Sequence, residues 1–485
     1  MRLRTFFALA IFAVAFFAFI RALNVGFFSD DYGFTPLFIL TPGEMMTVIQ
    51  RAHQGLLTLH PFRPTAFLVF LLDYRLYGFD PVGFHLTNLL IHSLNAVLFF
   101  YLLKAISKND WTAFIAALFF AVYPMNFEPV VWVSGRFDLL ASFFLLSALL
   151  LWIEGVESDS RRWLIPLSAL IYLLALFAKE TAMGAMLIFP VFIVCYGKGK
   201  AVTNRNWLLL SAVAILVFLG ARYWMFGNFA GDTFSTRAGL EERLDPEFMF
   251  SNLWQNLIIA ATPFNRETSN PVELYFYIGY GIVLLASVIN FATSNRDRYK
   301  CLFTLGALWF LAFILPALIM GGVTGELGNA RFLYLPSMGM GMIFSLSVQG
   351  KSRILAYISA VALVFSIVLN VITLQNNIAP WVELTTRTTM IDKMVANEIV
   401  FTRESVPRDL TLILVNVPMN EKGVHLAAVP YAAYFDFLNR TRIKTVIYTN
   451  MDSWNIEAWY EKLESSPQPY LVFVYDESTY SFRPL

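Results

Sequence analysis

Apolar residues in this chain come in long unbroken blocks parted by polar connectors. The first block, FFALAIFAVAFFAFI, fills residues 6–20. Blocks of this length predict helices that cross a membrane, here over 5–23, 86–106, 111–124, 138–153, 163–178, 181–196, 206–224, 274–292, 301–320, 332–348 and 353–375. The third, fourth and fifth are short or interrupted. MRLR could open a signal peptide, but no small-x-small cleavage site precedes NVGFF and more spans follow. The first block is therefore expected to stay as a helix.

The connectors orient the spans. MRLR, Lys104 with Lys108, Arg161 with Arg162, KGKAVTNR, NRDRYK and GKSR fall on alternate sides and are short and basic. The positive-inside rule assigns them to the cytoplasm. The long connectors 24–85 and 225–273 then lie outside, and an odd number of spans puts everything after residue 376 outside too. Both long connectors carry pieces suited to the membrane surface, PGEMMTVIQRAHQGLL and NLWQNLIIAATPF.

The tail changes character. DLTLILVNVP, IKTVIYT and PYLVFVYD read as buried strands, with LAAVPYAAYFDFLN and SWNIEAWYEKLES as helices between them. The fold class expected is a polytopic α-helical membrane protein of about eleven spans. Residues 1–375 form the membrane domain, and 376–485 a small extracytoplasmic α/β domain. The tail has neither GxGxxG nor a P-loop, so nothing there supports nucleotide binding.

Composition sharpens this. Of 485 residues, 58% are hydrophobic and 14% charged, against roughly a quarter charged in soluble domains. The net charge of +1 gives no reason to expect a nucleic-acid partner. Cys195 and Cys301, near predicted cytoplasmic span ends, are expected to stay unbridged, and they lack metal-type spacing.

Ionisable groups at membrane depth need a partner or a wet cavity. Asp30, Asp31, His85, Glu128, Arg136, Asp138, Lys179, Glu180 and Arg331 all fall at predicted outer span ends, and one shared polar cavity explains them together. In SDDY, one carboxylate can take a proton from an acceptor hydroxyl while the other orients it or binds a cation, or the pair can simply cap a turn. His85, Asn88, His92 and Asn95 share one helical face. His92 and Asn95 read as a seam bonding neighbouring helices, and His85 as a cavity residue. Arg136 with Asp138, and Lys179 with Glu180, read either as neutralised pairs or as chemistry. Arg136, Lys179 and Arg331 suit a phosphate.

Four motifs carry a family resemblance: HPFRPTAFLVFLLDYRLYGFDPVGFHLTNLLIHSLNAVLF, LFFAVYPMNFEPVVWVSGRFDLLASFFLL, ALFAKETAMG and ARFLYLPSMGMGM. In order and spacing, over most of 25–345, they resemble membrane O-mannosyltransferases of the transmembrane-and-TPR type, members of the GT-C superfamily. The resemblance implies a glycosyltransferase, hexosyl or pentosyl, that moves a sugar from a polyprenyl-phosphate carrier on the outer face. The acceptor hydroxyl would belong to a protein, lipid or glycan, and the setting would be a bacterial inner membrane. It implies Asp30 as base and Asp31 as supporting or metal-binding group. Arg331, Lys179 and Arg136 would hold the donor phosphate, with Tyr32, Arg63, His85, Glu128, Asp138 and Glu180 lining the cavity. A divalent cation, Mg or Mn, is admitted and not required. Tyr123–Pro124 replaces the family's His-Pro, and no TPR array follows. A multispan transporter or lipid flippase, or a non-catalytic membrane scaffold, are the alternatives.

Overall fold

The computed structural model describes residues 2–28, 30–31, 62–196, 201–226, 243–266 and 273–401, and in the tail 410–415, 420–421, 424–425, 443–449, 470–476 and 481–484. Its helices are α1 Arg2–Ala18, α2 Pro64–Tyr77, α3 Pro81–Ser107, α4 Asp110–Ala121, α5 Phe127–Val131, α6 Arg136–Glu157 and α7 Leu164–Ala178. They continue with α8 Ala185–Tyr196, α9 Ala201–Phe226, α10 Pro246–Ala261, α11 Glu273–Thr293, α12 Asp297–Met320, α13 Tyr334–Phe344 and α14 Arg353–Phe401. Start signals are local. Asp80, Asn109 and Asp245 each accept hydrogen bonds from backbone N–H groups of the turn they precede, and Pro81 and Pro246 occupy first positions whose missing N–H costs nothing.

The chain is an integral membrane protein. Among the described residues eight helices are long and apolar enough to cross a membrane. The expected third span is a pair, Asp110–Ala121 and Pro124–Val131, bent by 54°. The expected fifth and sixth are shorter apolar helices, Leu164–Ala178 and Glu180–Cys195. The last span was expected to end at 375, but the helix runs on through Pro380 to Phe401. Large apolar side chains such as Phe6, Leu216 and Ile354 are more than 60% exposed on the helix surfaces, where hydrocarbon would cover them. PGEMMTVIQRAHQGLL, expected at the membrane surface, lies outside the described residues, while α10, which holds most of NLWQNLIIAATPF, exposes Phe250, Trp254 and Leu257 in one stripe.

The interior is aromatic, with a polar seam. His92 Nε2 donates to the Ala121 carbonyl at 3.2 Å, so its Nδ1 accepts from Tyr334 Oη at 2.9 Å. Asn95 donates to Leu139 O at 2.9 Å and to Tyr334 Oη at 3.1 Å. These two residues bond neighbouring helices, as their depth in the span predicted. The α12 and α13 backbones meet at glycines: a Cβ on Gly339 would lie 2.4 Å from the Gly306 carbonyl oxygen.

Among the described residues, the connectors that hold Arg4, Lys108 and Tyr299 gather at one end. Arg4 pairs with Asp110 at 3.1 Å and Lys108 with Glu157 at 3.0 Å. Gln349 ties the two groups of loops together, donating to Thr112 at 2.7 Å and accepting from Tyr299 at 2.6 Å. At the other end of α3, which is about 40 Å long at 1.5 Å per residue, lie the buried charges. Cys195 and Cys301, expected to stay apart, are joined by a disulfide with a Cα–Cα distance of 5.6 Å. Packing of α8 against α12, not readable from spacing, brings them together.

In the tail, β2 Asn420–Glu421 pairs with β3 Val424–His425, while β1 Leu410–Val415, β4 Ile443–Thr449, β5 Tyr470–Asp476 and β6 Ser481–Pro484 form one sheet in the order β4-β1-β5-β6. β1 runs parallel to β4 and β5, and β6 is antiparallel to β5. Parallel neighbours need crossover connections. The helices expected to supply them, at 426–439 and 453–465, lie outside the described residues.

Candidate active site

The segment after α1 leaves a short 3-10 turn, Ile20–Asn24, and is then held from three directions. Gly26 N donates to Thr385 Oγ1 on α14 at 2.9 Å. The Gly26 carbonyl receives His85 Nε2 from α3 at 3.2 Å, which fixes the proton on that nitrogen. The Phe28 carbonyl receives Trp132 Nε1 at 3.2 Å, and the Phe28 ring meets Trp381 edge-on at 5.5 Å.

The two aspartates divide accordingly. Asp31 is 3% exposed. Its Oδ2 accepts from Phe28 N at 3.0 Å, and its Oδ1 accepts from Ser134 N at 2.8 Å and from the Ser134 hydroxyl. Asp30 is exposed. Asp31 therefore locks this segment onto residues 132–134, and Asp30 is presented beside it.

Burial pushes the Asp31 carboxyl up to about 7, against the pull of its hydrogen bonds from Phe28 and Ser134. The sign follows. Below the unfolded value of 3.8 both states are protonated. Between there and about 7 the folded state holds the extra proton, so stability falls as pH rises through that window and levels off above it. Asp31→Asn is expected to flatten this slope, as read from unfolding midpoints between pH 4 and 8 in detergent. An unchanged slope contradicts the assignment.

Beneath the lock lies Arg136, fully buried at the start of α6. Its Nη1 lies 2.5 Å from Asp73 Oδ2 on α2, Nε donates to Asn88 Oδ1 at 2.7 Å and Nη2 to the Phe84 carbonyl at 2.7 Å. Phe70 stacks under the guanidinium at 4.5 Å. Asn88 in turn donates to the Trp132 carbonyl at 2.9 Å. The turn closes on Gly135, where a Cβ would sit 2.4 Å from the Pro129 Cα. Since backbone cannot yield as a side chain can, Gly135→Ala is expected to cost roughly 1–3 kcal/mol. Thermal unfolding of purified protein measures this.

Three more ion pairs lie near one another, with Lys179 within electrostatic reach of Asp138, Arg63 and Arg331. Lys179 Nζ reaches both oxygens of Asp138 at 2.6 Å, with both side chains nearly buried. Arg63 makes two bonds to Glu180, at 2.7 and 3.3 Å, and Arg222 approaches the same carboxylate at 3.9 Å. Glu128, 2% exposed, accepts Arg331 N at 2.6 Å and Arg331 Nη1 at 2.5 Å. The Arg331 guanidinium lies over Trp132 at 5.1 Å and Phe332 at 5.4 Å, and Lys179 faces the same Phe332 ring at 5.6 Å. Asp138 and Asp30 both lie within electrostatic reach of Arg331. The Arg331 side chain stays 22% exposed, and among the described residues only its Nη1 carries an ion pair.

Several sequence expectations change. The pairs are not the adjacent ones: Arg136 takes Asp73 instead of Asp138, and Lys179 takes Asp138 instead of Glu180. Residues one or two apart project in different directions and do not face each other. Arg136 is not a phosphate ligand, since Asp73, Asn88 and Phe84 occupy its donors and no part of it is exposed. His85 does not line a cavity; it is fully buried and holds the Gly26 carbonyl. Asp31 is turned inward, with three donors on its two oxygens, instead of facing the exposed side as Asp30 does. No group of three or more His, Cys, Asp or Glu able to hold a metal occurs among the described residues. Asp30, Arg63, Glu128, Asp138, Lys179, Glu180 and Arg331 do come to one end, and Tyr32 lies outside the described residues. Asp73, Ser134, Trp132, Arg222 and Phe332 were missed. Asp73 alone carried a signal: a single carboxylate in the apolar run PTAFLVFLLDYRLY must find a cation.

The site can be compared with known proteins. The family model DUF6311, described as a domain of unknown function, matches residues 64–381, which include every charged residue of the site except Asp30, Asp31 and Arg63. The chain is 25% identical over 325 residues to protein O-mannosyl-transferase F38B6.6 of Caenorhabditis elegans, covering 63% of this chain and 45% of that one. It is 34% identical over 183 residues to protein O-mannosyl-transferase TMTC3 of Homo sapiens, covering 35% of this chain and 19% of that one. It spans less than half the length of these curated relatives. Among solved structures, ArnT from Cupriavidus metallidurans bound to undecaprenyl phosphate aligns over 98% of this chain and 93% of that one, at 11% identity and a TM-score of 0.48. The archaeal oligosaccharyltransferase AglB from Archaeoglobus fulgidus aligns over 97% and 69%, at 12% identity and 0.48. The resemblance to O-mannosyltransferases read from the four motifs thus recurs across these relatives, and the chain belongs to the DUF6311 family.

Proposed function

We propose that the chain is a GT-C-type membrane glycosyltransferase that moves a monosaccharide from a polyprenyl-phosphate carrier to a hydroxyl acceptor. One observation carries this reading: an exposed carboxylate, Asp30, sits within electrostatic reach of Arg331, a half-buried arginine with guanidinium donors to spare. Asp30 takes the proton of the acceptor hydroxyl. The oxygen attacks the anomeric carbon as its bond to the phosphate breaks, inverting that centre, and the carrier phosphate leaves with the electron pair. Arg331 receives the departing anion through its remaining N–H groups, with the Lys179–Asp138 pair behind it. Arg136 and Asp31 only position. No step needs a divalent cation, since fixed cations can meet the phosphate charge.

In this reading about eleven helices span a bacterial inner membrane, the bent pair and the two shorter helices included. The basic end faces the cytoplasm and Asp30 the periplasm. The tail, with its mostly parallel, mixed sheet, belongs to an α/β domain on the Asp30 side, because α14 passes that loop at Thr385 on its way out. Similarity to protein O-mannosyl-transferases favours a protein acceptor and a hexose. The test is mass spectrometry of glycans on proteins and envelope lipids with and without the chain. One glycan should be missing without it. Identical profiles contradict the reading, and carrier movement in vesicles without glycosidic product would favour a flippase.

A further inference from the structure

A cavity of about 470 Å³ opens at the basic end of the molecule, at the far end of α3 from Asp30. It lies between the α3–α4 turn, the start of α12 and the segment after α13. Lys108, Arg296 and Arg298 line it against one acid, Asp297. Lys108 already pairs with Glu157 at 3.0 Å. Among the described residues no carboxylate pairs with Arg296 or Arg298. The inner wall holds a second signal. Thr112 is 2% exposed and lines the cavity. Its Oγ1 accepts from Gln349 Nε2 at 2.7 Å, and its own proton meets no acceptor among the described residues. Tyr299 is committed the other way, donating to Gln349 Oε1 at 2.6 Å. The Arg296 guanidinium lies over the Tyr299 ring at 5.5 Å and bonds that side chain, and both guanidinium groups stand without a carboxylate among the described residues; a buried hydroxyl left to donate beside them asks for an anionic oxygen. Leu302 and Leu346 make part of the lining apolar. Trp111, 56% exposed at the start of α4, puts this rim at the level where aromatic belts meet lipid headgroups.

We infer that this cavity is a second anion site, built for a phosphate ester and separate from the transfer site. Basic pockets between helices at a membrane surface take anionic headgroups in this way. The same chemistry would also hold a free phosphate, and the experiment separates the two sources. Full-length protein is purified, and lipid retention is measured by native mass spectrometry after exchange into phosphatidylglycerol or phosphatidylcholine. Displacement by inorganic phosphate is read in parallel. The wild type should retain phosphatidylglycerol over phosphatidylcholine. The Arg296→Gln, Arg298→Gln double variant and Thr112→Val should each lose about tenfold or more of that retention, the scale of a lost charge-assisted bond. Displacement by millimolar phosphate alone assigns the site to a soluble phosphate. Equal retention of both lipids by the wild type, with no effect of phosphate, overturns the inference, as does unchanged retention in both variants. Thr112→Val keeps the side-chain shape and gives up the bond from Gln349, so its unfolding midpoint is read beside its retention: lost retention at an unchanged midpoint supports the site, and retention lost only together with the midpoint overturns it.

Discussion

Asp30→Asn is expected to abolish the glycan that the chain installs, with transfer reduced by about 10²–10⁴-fold, the usual worth of a positioned general base. The amide keeps the size of the carboxylate and cannot take a proton. Because Asp30 is exposed and Asp31 holds the loop, folding should be untouched, and unfolding midpoints of variant and wild type should agree. Asp31→Asn should act differently. It weakens the lock to Ser134, so its loss of transfer should come with a loss of stability. Cells carrying each variant in place of the native chain, at matched protein level, give the comparison. A normal glycan profile with Asp30→Asn removes the base assignment.

The largest stability effect is expected at Arg136. Arg136→Met leaves Asp73 buried without its cation and strips Asn88 and the Phe84 carbonyl of donors. Breaking a buried pair from one side costs about 3–5 kcal/mol. The double variant Arg136→Met, Asp73→Leu should recover most of that, because a fully apolar contact needs no partner charge. A double-mutant cycle on unfolding midpoints measures the coupling. Donor affinity in the double variant separates the two roles of Arg136: a positioning residue leaves it intact once stability is recovered, and a phosphate ligand would take it away.

Much of the membrane architecture was legible because hydrocarbon thickness dictates it. Apolar length located the spans, and the depth of His92 and Asn95 announced their seam. The gathering of charges at one end followed from the positions of span ends. The identity of the partners did not. Arg136 and Asp73 are 63 residues apart, and Glu128 and Arg331 are 203 apart. Such pairs are set by which helices pack side by side. The same holds for Cys195 with Cys301, 106 residues apart. SDDY was readable as a pair of carboxylates. The division of labour between them depended on Ser134, which only the folded turn at Gly135 delivers.

The central claim is that Asp30 faces outward, opposite the basic loops. The most direct test is labelling with a membrane-impermeant maleimide in intact cells, using single-cysteine chains whose native cysteines are serine. Asp30→Cys should label from outside, and Arg298→Cys only after permeabilisation. Labelling of position 30 from the cytosol alone would contradict it.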